Sequence, residues 1–210
     1  MTLVIAIDGP AGAGKSTIGR ALADRLDLAY LDTGAMYRAM TFAALQRGVC
    51  EQDLDDVAAM APTVLIDMEG GTVTVDGVDA TSAIRGREVT EAVSQISANT
   101  VVREVLVERQ RAWVAAHGGA VVEGRDIASV VFPHAALKLY VTASPRVRAE
   151  RRVAEVGGDV REMEASIIER DRKDSTRADS PLIEVPDAVT VDTTGLSIDQ
   201  VLDHIVAMLP

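Results

Sequence analysis

Gly9, Gly14, Lys15 and Ser16 occupy the fixed positions of G-x-x-x-x-G-K-[ST], within Gly9-Pro10-Ala11-Gly12-Ala13-Gly14-Lys15-Ser16-Thr17. That spacing serves phosphate chemistry. Glycines let backbone N–H groups turn inward toward phosphate oxygens, Lys15 adds a point charge, and the Ser16 hydroxyl can ligate Mg²⁺. A chance glycine-rich turn is the alternative, and the flanks argue against it. The apolar run Leu3–Ile7 reads as a buried strand entering the loop, and Ile18, Leu22, Arg25 and Leu26 recur at helical spacing after it. The loop by itself says only nucleoside triphosphate binding.

Three other places carry charge where chemistry could use it. Leu31-Asp32-Thr33-Gly34-Ala35-Met36-Tyr37-Arg38 follows a second short apolar run, and Arg38 would lie in the first turns of a helix. Glu123-Gly124-Arg125-Asp126 follows the apolar strand Ala120-Val121-Val122. In an open parallel sheet, ligands sit beyond the carboxyl ends of strands, so both segments would share a rim with the glycine loop. An ordinary salt-bridged turn is the plainer reading of 123–126. The third place is the stripe Val160, Met163, Ile167, Arg170, Asp174, Arg177, which begins apolar and ends charged. Charge on a core-directed stripe is costly unless it is paired or meets a ligand. An internal Arg170–Asp174 pair and a ligand cleft are the two possibilities. Arg146, Arg148, Arg151 and Arg152 crowd the segment before Gly157-Gly158. This is either a solvated helix face balanced by Glu150 and Glu155, or a lid that brings arginine onto phosphates.

The elements that must position these groups alternate. Strands are predicted at 3–7, 28–31, 120–123, 137–141 and 188–192. Helices are predicted near 15–26, 35–46, 88–98, 101–116, 144–155, 160–175 and 198–209. Such alternation implies an α/β fold with a five-stranded parallel sheet flanked by helices. Residues 63–81 break the rhythm: the Asp76-Gly77 turn between β-branched runs predicts a small antiparallel insertion, either a surface hairpin or part of a substrate lobe.

Composition bounds the rest. The chain has 210 residues, 48% of them hydrophobic and 3% aromatic, enough for one compact unit with an aliphatic core. The net charge of −11 argues against broad binding to nucleic acid or an anionic membrane. Of 21 basic residues, 18 are arginine, whose forked donors suit a small phosphorylated ligand. The single cysteine, Cys50, excludes an internal disulfide framework. An apolar strand at the start, with neither leader nor membrane span, predicts a soluble cytoplasmic protein, and a monomer is expected. A guanine-nucleotide switch would need N-K-x-D, which is missing; Asp67-Met68-Glu69-Gly70 matches D-x-x-G only by chance, since it precedes the hairpin.

Taken in order, these segments resemble the bacterial cytidylate kinases over nearly the whole chain. The resemblance rests on the loop at 9–17, D-T-G-A-M-Y-R at 32–38, Ser94-Gln95, V-R-E at 102–104, R-Q-R-A-W at 109–113 and G-R-D at 124–126. It continues through V-V-F-P at 130–133, E-R-D-R-K-D at 169–174 and T-T-G-L-S-I-D-Q at 193–200. It implies a P-loop NTPase fold with a helical lid at about 146–158 and a nucleoside-monophosphate lobe at about 36–94. The core would comprise 1–35, 95–145 and 160–210. It also implies transfer of the γ-phosphoryl of ATP to CMP or dCMP. Residues 9–17 would bind ATP, and Arg38, Arg125 and Arg177 would hold the CMP phosphate with Thr33 nearby. Ser94, Arg103 and Asp126 would read cytosine, and Arg170 and Asp174 the sugar. Lys15, Arg125, Arg148 and Arg151 would be catalytic, with Arg148, Arg151 and Arg152 each a candidate for the arginine that bridges the phosphates. Mg²⁺ would sit on Ser16, with Glu123 acting through water where many relatives carry Asp. A kinase for another nucleotide or for a non-nucleotide alcohol is excluded only by the cytosine-reading set.

Overall fold

The structure, a computed structural model, describes residues 3–176, 180–195 and 197–208. The chain divides into two compact units, residues 1–31 with 113–210, and residues 32–112.

The first unit is built on a parallel sheet. Its strands are β1 (Leu3–Asp8), β2 (Ala29–Asp32, whose last residue opens the second unit), β6 (Gly119–Glu123), β7 (Leu137–Thr142) and β8 (Val189–Asp192), in the order β2-β6-β1-β7-β8. β1 is central, pairing Ile7 with Glu123 on one side and with Leu139 on the other. Both neighbours are parallel, so the carboxyl ends of β1, β6 and β7 share one edge. Helices α1 (Lys15–Leu26), α6 (Pro145–Val156), α7 (Val160–Ser175) and α8 (Ile198–Val206) complete this unit. Ile5, Ile7, Leu22, Val121, Leu139, Val141 and Ile205 form the core between sheet and helices, all fully buried. Each such aliphatic side chain contributes about 1.5–3 kcal/mol relative to exposure, which is how a chain this poor in aromatics stays folded. Ser197 and Gln200 form a reciprocal capping box that starts α8.

The second unit holds α2 (Thr33–Gln46), α3 (Leu54–Met60), α4 (Arg87–Ile96) and most of α5 (Thr100–Ala116), which runs on into the first unit. It also carries a three-stranded antiparallel sheet, β3 (Ile66–Glu69), β4 (Thr72–Val75) and β5 (Val78–Asp79), in sequence order. The Asp76-Gly77 turn that joins β4 to β5 has φ of 50° and 81°, as expected of a tight hairpin. A further strand, β3, pairs with β4 across Gly70-Gly71. Val89, Ala92, Val93 and Ile96 place the buried stripe of α4 at helical spacing.

Two elements were not expected from the pattern. α3 is short and mostly exposed, with Val57 and Met60 as its buried residues, and Asp53 caps it by accepting the Asp56 N–H. Residues Ile127–Val131 form a π-helical turn where the sequence reads simply as an apolar run. Among the described residues, no helix is long and apolar enough to cross a membrane.

Candidate active site

The glycine loop leaves β1 at the carboxyl edge of the sheet, as its sequence required. Gly9 has a φ of 145°, and a Cβ there would lie 2.0 Å from the Val141 carbonyl oxygen, so only glycine lets the loop pass β7. At Gly12 (φ 74°) an added Cβ would meet the Cβ of Arg148 at 3.2 Å, which shows how closely α6 packs on the loop. Gly14 caps α1 with no side-chain hydrogen bond, and the first turn of α1 carries no acidic residue. The positive end of that helix thus faces the loop with no acidic residue in its own first turn. Lys15 opens α1, and its Nζ donates to the Pro10 carbonyl at 2.9 Å, folding the side chain back over the loop.

Ser16 lies one residue further on. Its hydroxyl donates to Glu123 Oε1 at 2.7 Å, joining the start of α1 to the end of β6. A hydroxyl and a carboxylate together are hard oxygen donors that suit Mg²⁺, which commonly takes one or two protein oxygens and completes its shell with water and phosphate. Among the described residues there is no cluster of three or more His, Cys, Asp or Glu that would cage a metal by protein alone.

Arg125 links three parts of this unit. Its Nε donates to Asp174 Oδ2 at 2.8 Å, and its Nη1 donates to the Gly9 carbonyl. Asp174 therefore pairs with Arg125; both described charged residues of the stripe are turned inward, Asp174 buried and Arg170 half-buried. Asp126 is buried beside Arg125, at the start of the π-helical turn. Asp8, the last residue of β1, is also buried and receives the Ile127 and Ala128 N–H groups at 2.8 and 2.7 Å. Burial pushes its carboxyl up to about 6 against the pull of those two N–H bonds.

The four arginines of α6 separate sharply. Arg146 and Arg152 form surface pairs with Glu150 and Glu155. Arg148 is buried and committed: its Nε donates to the Ala143 carbonyl, Nη1 to the Ala11 carbonyl at 3.0 Å, and Nη2 meets Asp171 at 2.6 Å. It is neither on a solvated face nor free at the rim. Arg151 donates Nη1 and Nη2 to Thr193 Oγ1 and O at 2.9 and 3.0 Å, and its Nη1 lies 3.7 Å from where a Gly14 Cβ would be. Thr193 in turn donates to the Ala13 carbonyl.

The second unit carries the remaining residues. Thr33 opens α2 and is buried, while Asp32 caps that helix by accepting the Ala35 N–H. Arg38 donates to the Ile84 carbonyl at 3.1 Å and to Thr90 Oγ1 at 2.9 Å. Arg103 is buried, donates to the Ser97 carbonyl at 3.0 Å and stacks over the Tyr37 ring at 5.3 Å. The Ser97 hydroxyl donates to the Ser94 carbonyl, so Ser94, exposed on α4, reaches Arg103 through one intervening residue. A cavity of about 410 Å³ lined by Val64, Leu65, Asp67, Thr74 and Arg109 holds none of the predicted site residues. Arg177 lies outside the described residues. Asp8, Asp171 and Thr193 were missed from sequence; no spacing rule points to them, because each acts on a residue more than 20 positions away.

Comparison with known proteins follows the same outline. Two solved kinase structures share the fold. A gluconokinase from Sinorhizobium meliloti 1021 superposes with a TM-score of 0.53 at 14% identity, covering 98% of this chain and 90% of that one. A shikimate kinase from Acinetobacter baumannii in complex with shikimate gives 0.52 at 15%, covering 99% and 93%. At sequence level, the bifunctional pantoate ligase/cytidylate kinase of Synechococcus sp. (strain JA-2-3B'a(2-13)) is 47% identical over 98% of this chain, which spans 40% of that longer protein. The cytidylate kinases of Symbiobacterium thermophilum and Streptomyces griseus subsp. griseus are 44% and 46% identical, with 97% and 99% of this chain covering 94% and 93% of theirs. The family model for cytidylate kinase matches residues 5–210. Agreement of this depth, end to end with chains of nearly the same length, is more than a shared phosphate loop, and the chain belongs to the cytidylate kinase family.

Proposed function

We propose that this chain is a cytidylate kinase that passes the γ-phosphoryl of ATP to CMP, and to dCMP, giving the diphosphate and ADP. The observation that carries the reading is the Arg125 bridge: one guanidinium joins the Gly9 carbonyl of the phosphate loop to Asp174 of α7, next to the buried Asp126. This bridge supports a reading in which donor-side and acceptor-side groups meet on one turn.

The attacking oxygen of a nucleoside monophosphate is already anionic, so the reaction needs positioning and charge stabilisation, not a general base. Residues 9–17 receive the ATP phosphates. Lys15 exchanges the Pro10 carbonyl for a phosphate oxygen. Arg151, at the rim beside Gly14, is the lid arginine that meets the transferring group, while Arg148 holds the loop by its Ala11 carbonyl. Ser16 and Glu123 would hold Mg²⁺, which supplies charge neutralisation on the phosphates. Arg38, Arg125 and Arg177, with Thr33, take the CMP phosphate, and Arg170 and Asp174 the ribose. Asp126 accepts from the cytosine N4 amine, and Arg103 with Ser94 meets the O2 and N3 acceptors. Residues 36–94 act as the monophosphate lobe and 146–158 as the lid; closure excludes water and limits ATP hydrolysis. The net charge of −11 supports a small-molecule enzyme without nucleic-acid or membrane partners; we take it to work as a cytoplasmic monomer.

The test is ADP formation from Mg-ATP with CMP, dCMP, UMP, AMP, GMP, dTMP or no acceptor. Strong stimulation by CMP and dCMP is expected. Preference for another monophosphate would keep the phosphoryl-transfer mechanism but overturn the roles of Ser94, Arg103 and Asp126. No stimulation by any acceptor would overturn the proposal.

A further inference from the structure

Asp8 has no role in the chemistry above, yet it is an expensive residue to keep. It ends the central strand and is 2% exposed, in a sequence position where an aliphatic side chain would continue the run from Leu3 to Ile7. Burying a carboxylate is costly unless hydrogen bonds repay it. Here both oxygens are used, one on the Ile127 N–H at 2.8 Å and one on the Ala128 N–H at 2.7 Å.

Those two amides lie immediately after Asp126. The other side of the same turn is also tied to β1, because the Gly124 N–H donates to the Ile7 carbonyl at 2.9 Å. Arg125, between them, donates to the Gly9 carbonyl. Three consecutive residues, Ile7, Asp8 and Gly9, therefore grip residues 124–128 at four points. The backbone there is unusual: Asp126 has φ −142° and ψ 23°, and the π-helical turn follows at once. π-turns widen a helix at the cost of poorer packing and are common at functional sites. Asp8 supplies the side-chain acceptors at the start of this one.

We propose that Asp8 is a positioning residue for acceptor choice: by holding the Ile127 and Ala128 amides it sets where Asp126 presents its carboxylate to the nucleobase. The inference rests on the reading of Asp126 as the group that meets the cytosine amine. It adds that base selection is referenced, through one side chain, to the strand that carries the ATP loop. An asparagine at position 8 has one acceptor oxygen and an NH₂ that would face an N–H donor, so one of the two amides loses its partner and the turn shifts.

The experiment compares wild type, Asp8→Asn and Asp126→Ala. It measures CMP, UMP and ATP affinities by calorimetry, and kcat and KM for CMP and UMP. Asp8→Asn is expected to weaken CMP about tenfold, to narrow the CMP/UMP preference at least fivefold, and to change ATP affinity less than threefold. Amide exchange at Ile127 and Ala128 should accelerate in the same variant. A merely structural role would lower Tm with the CMP/UMP ratio intact, or weaken ATP and CMP equally; either result overturns the inference. If Asp126→Ala collapses the ratio while Asp8→Asn does not, only the inference fails. If Asp126→Ala leaves the ratio intact, the cytosine reading fails and takes the inference with it. Should Asp8→Asn not fold, Asp8→Glu, which keeps the charge but pushes the turn away by one carbon, is read by the same criteria.

Discussion

Arg148 and Asp171 form a buried ion pair at 2.6 Å, with the Arg148 side chain 4% exposed and that of Asp171 22% exposed. The pair joins α6 to α7, and through the Ala11 carbonyl it also fixes the tip of the phosphate loop. Removing Asp171 leaves a guanidinium buried with two carbonyl acceptors and no counter-charge. Asp171→Ala is therefore expected to cost on the order of 3 kcal/mol of unfolding free energy, read from urea denaturation. A loss below about 1 kcal/mol would mean that the pair is solvated in solution.

Arg151 contrasts with Arg148. It is half-buried, and its partners are a hydroxyl and a carbonyl of one residue, Thr193. Arg151→Ala is expected to lower kcat by about 10²-fold with little change in Tm, as for removal of one group that stabilises transition-state charge. Steady-state kinetics and thermal melting together decide it. A large fall in Tm with an unchanged kcat would assign Arg151 to structure.

Lys15→Ala is expected to reduce kcat by about 10²–10³-fold or more while leaving the circular dichroism spectrum unchanged. One hydrogen bond of the side chain stays within the loop, to the Pro10 carbonyl. A near-wild-type rate would contradict the role given to the whole loop.

Asp126→Ala is expected to weaken CMP by about 1–3 kcal/mol and ATP by much less, the usual worth of a base-specific polar contact. Equal losses for both nucleotides, measured by isothermal titration, would remove Asp126 from base recognition.

Asp8 gives a pH prediction. Burial raises its pKa from 3.8 to about 6, so the folded state disfavours the charged form. Between these values the folded protein binds more protons than the unfolded chain, and stability falls as pH rises from about 4 to about 6. Below pH 4 the group is protonated in both states and contributes no such cost. At neutral pH the cost is on the order of 3 kcal/mol. Asp8→Asn lacks this dependence, so the stability difference between variant and wild type should move toward the variant by that order from pH 4 to pH 7. Parallel profiles in urea melts across that range would show that Asp8 does not titrate in this way.

Much of this was legible in the sequence, and for identifiable reasons. Apolar runs bounded by glycine and charge located all five strands of the parallel sheet to within about a residue of their observed ends, because buried parallel strands read as continuous hydrophobic stretches. The Asp76-Gly77 turn announced its hairpin by the left-handed backbone it needs. α3 escaped notice because its buried face has only Val57 and Met60 among acidic residues, too few to show a period. The π-helical turn escaped because the side chain that accepts its first two amides, Asp8, lies 119 positions from Ile127. The Arg125 partner of Asp174 was not visible for the same reason: it comes from just beyond the end of another strand, 49 residues earlier. Local rules find what neighbours in sequence do, and these choices are made by neighbours in space.

All five strands of the parallel sheet lie in residues 3–32 and 119–192, whereas residues 32–112 form one continuous excursion between β2 and the last turn of α5. A lineage can therefore lengthen, shorten or rewrite that excursion without touching a strand of the sheet or a residue of the phosphate loop. The gluconokinase and the shikimate kinase retain the same framework at 14–15% identity. In such an architecture the sheet is inherited and the excursion is open to experiment. The exception is the turn at 124–128, which is sewn to the central strand. Changing that turn requires altering the central strand as well, so it should be among the slowest parts of the molecule to diverge.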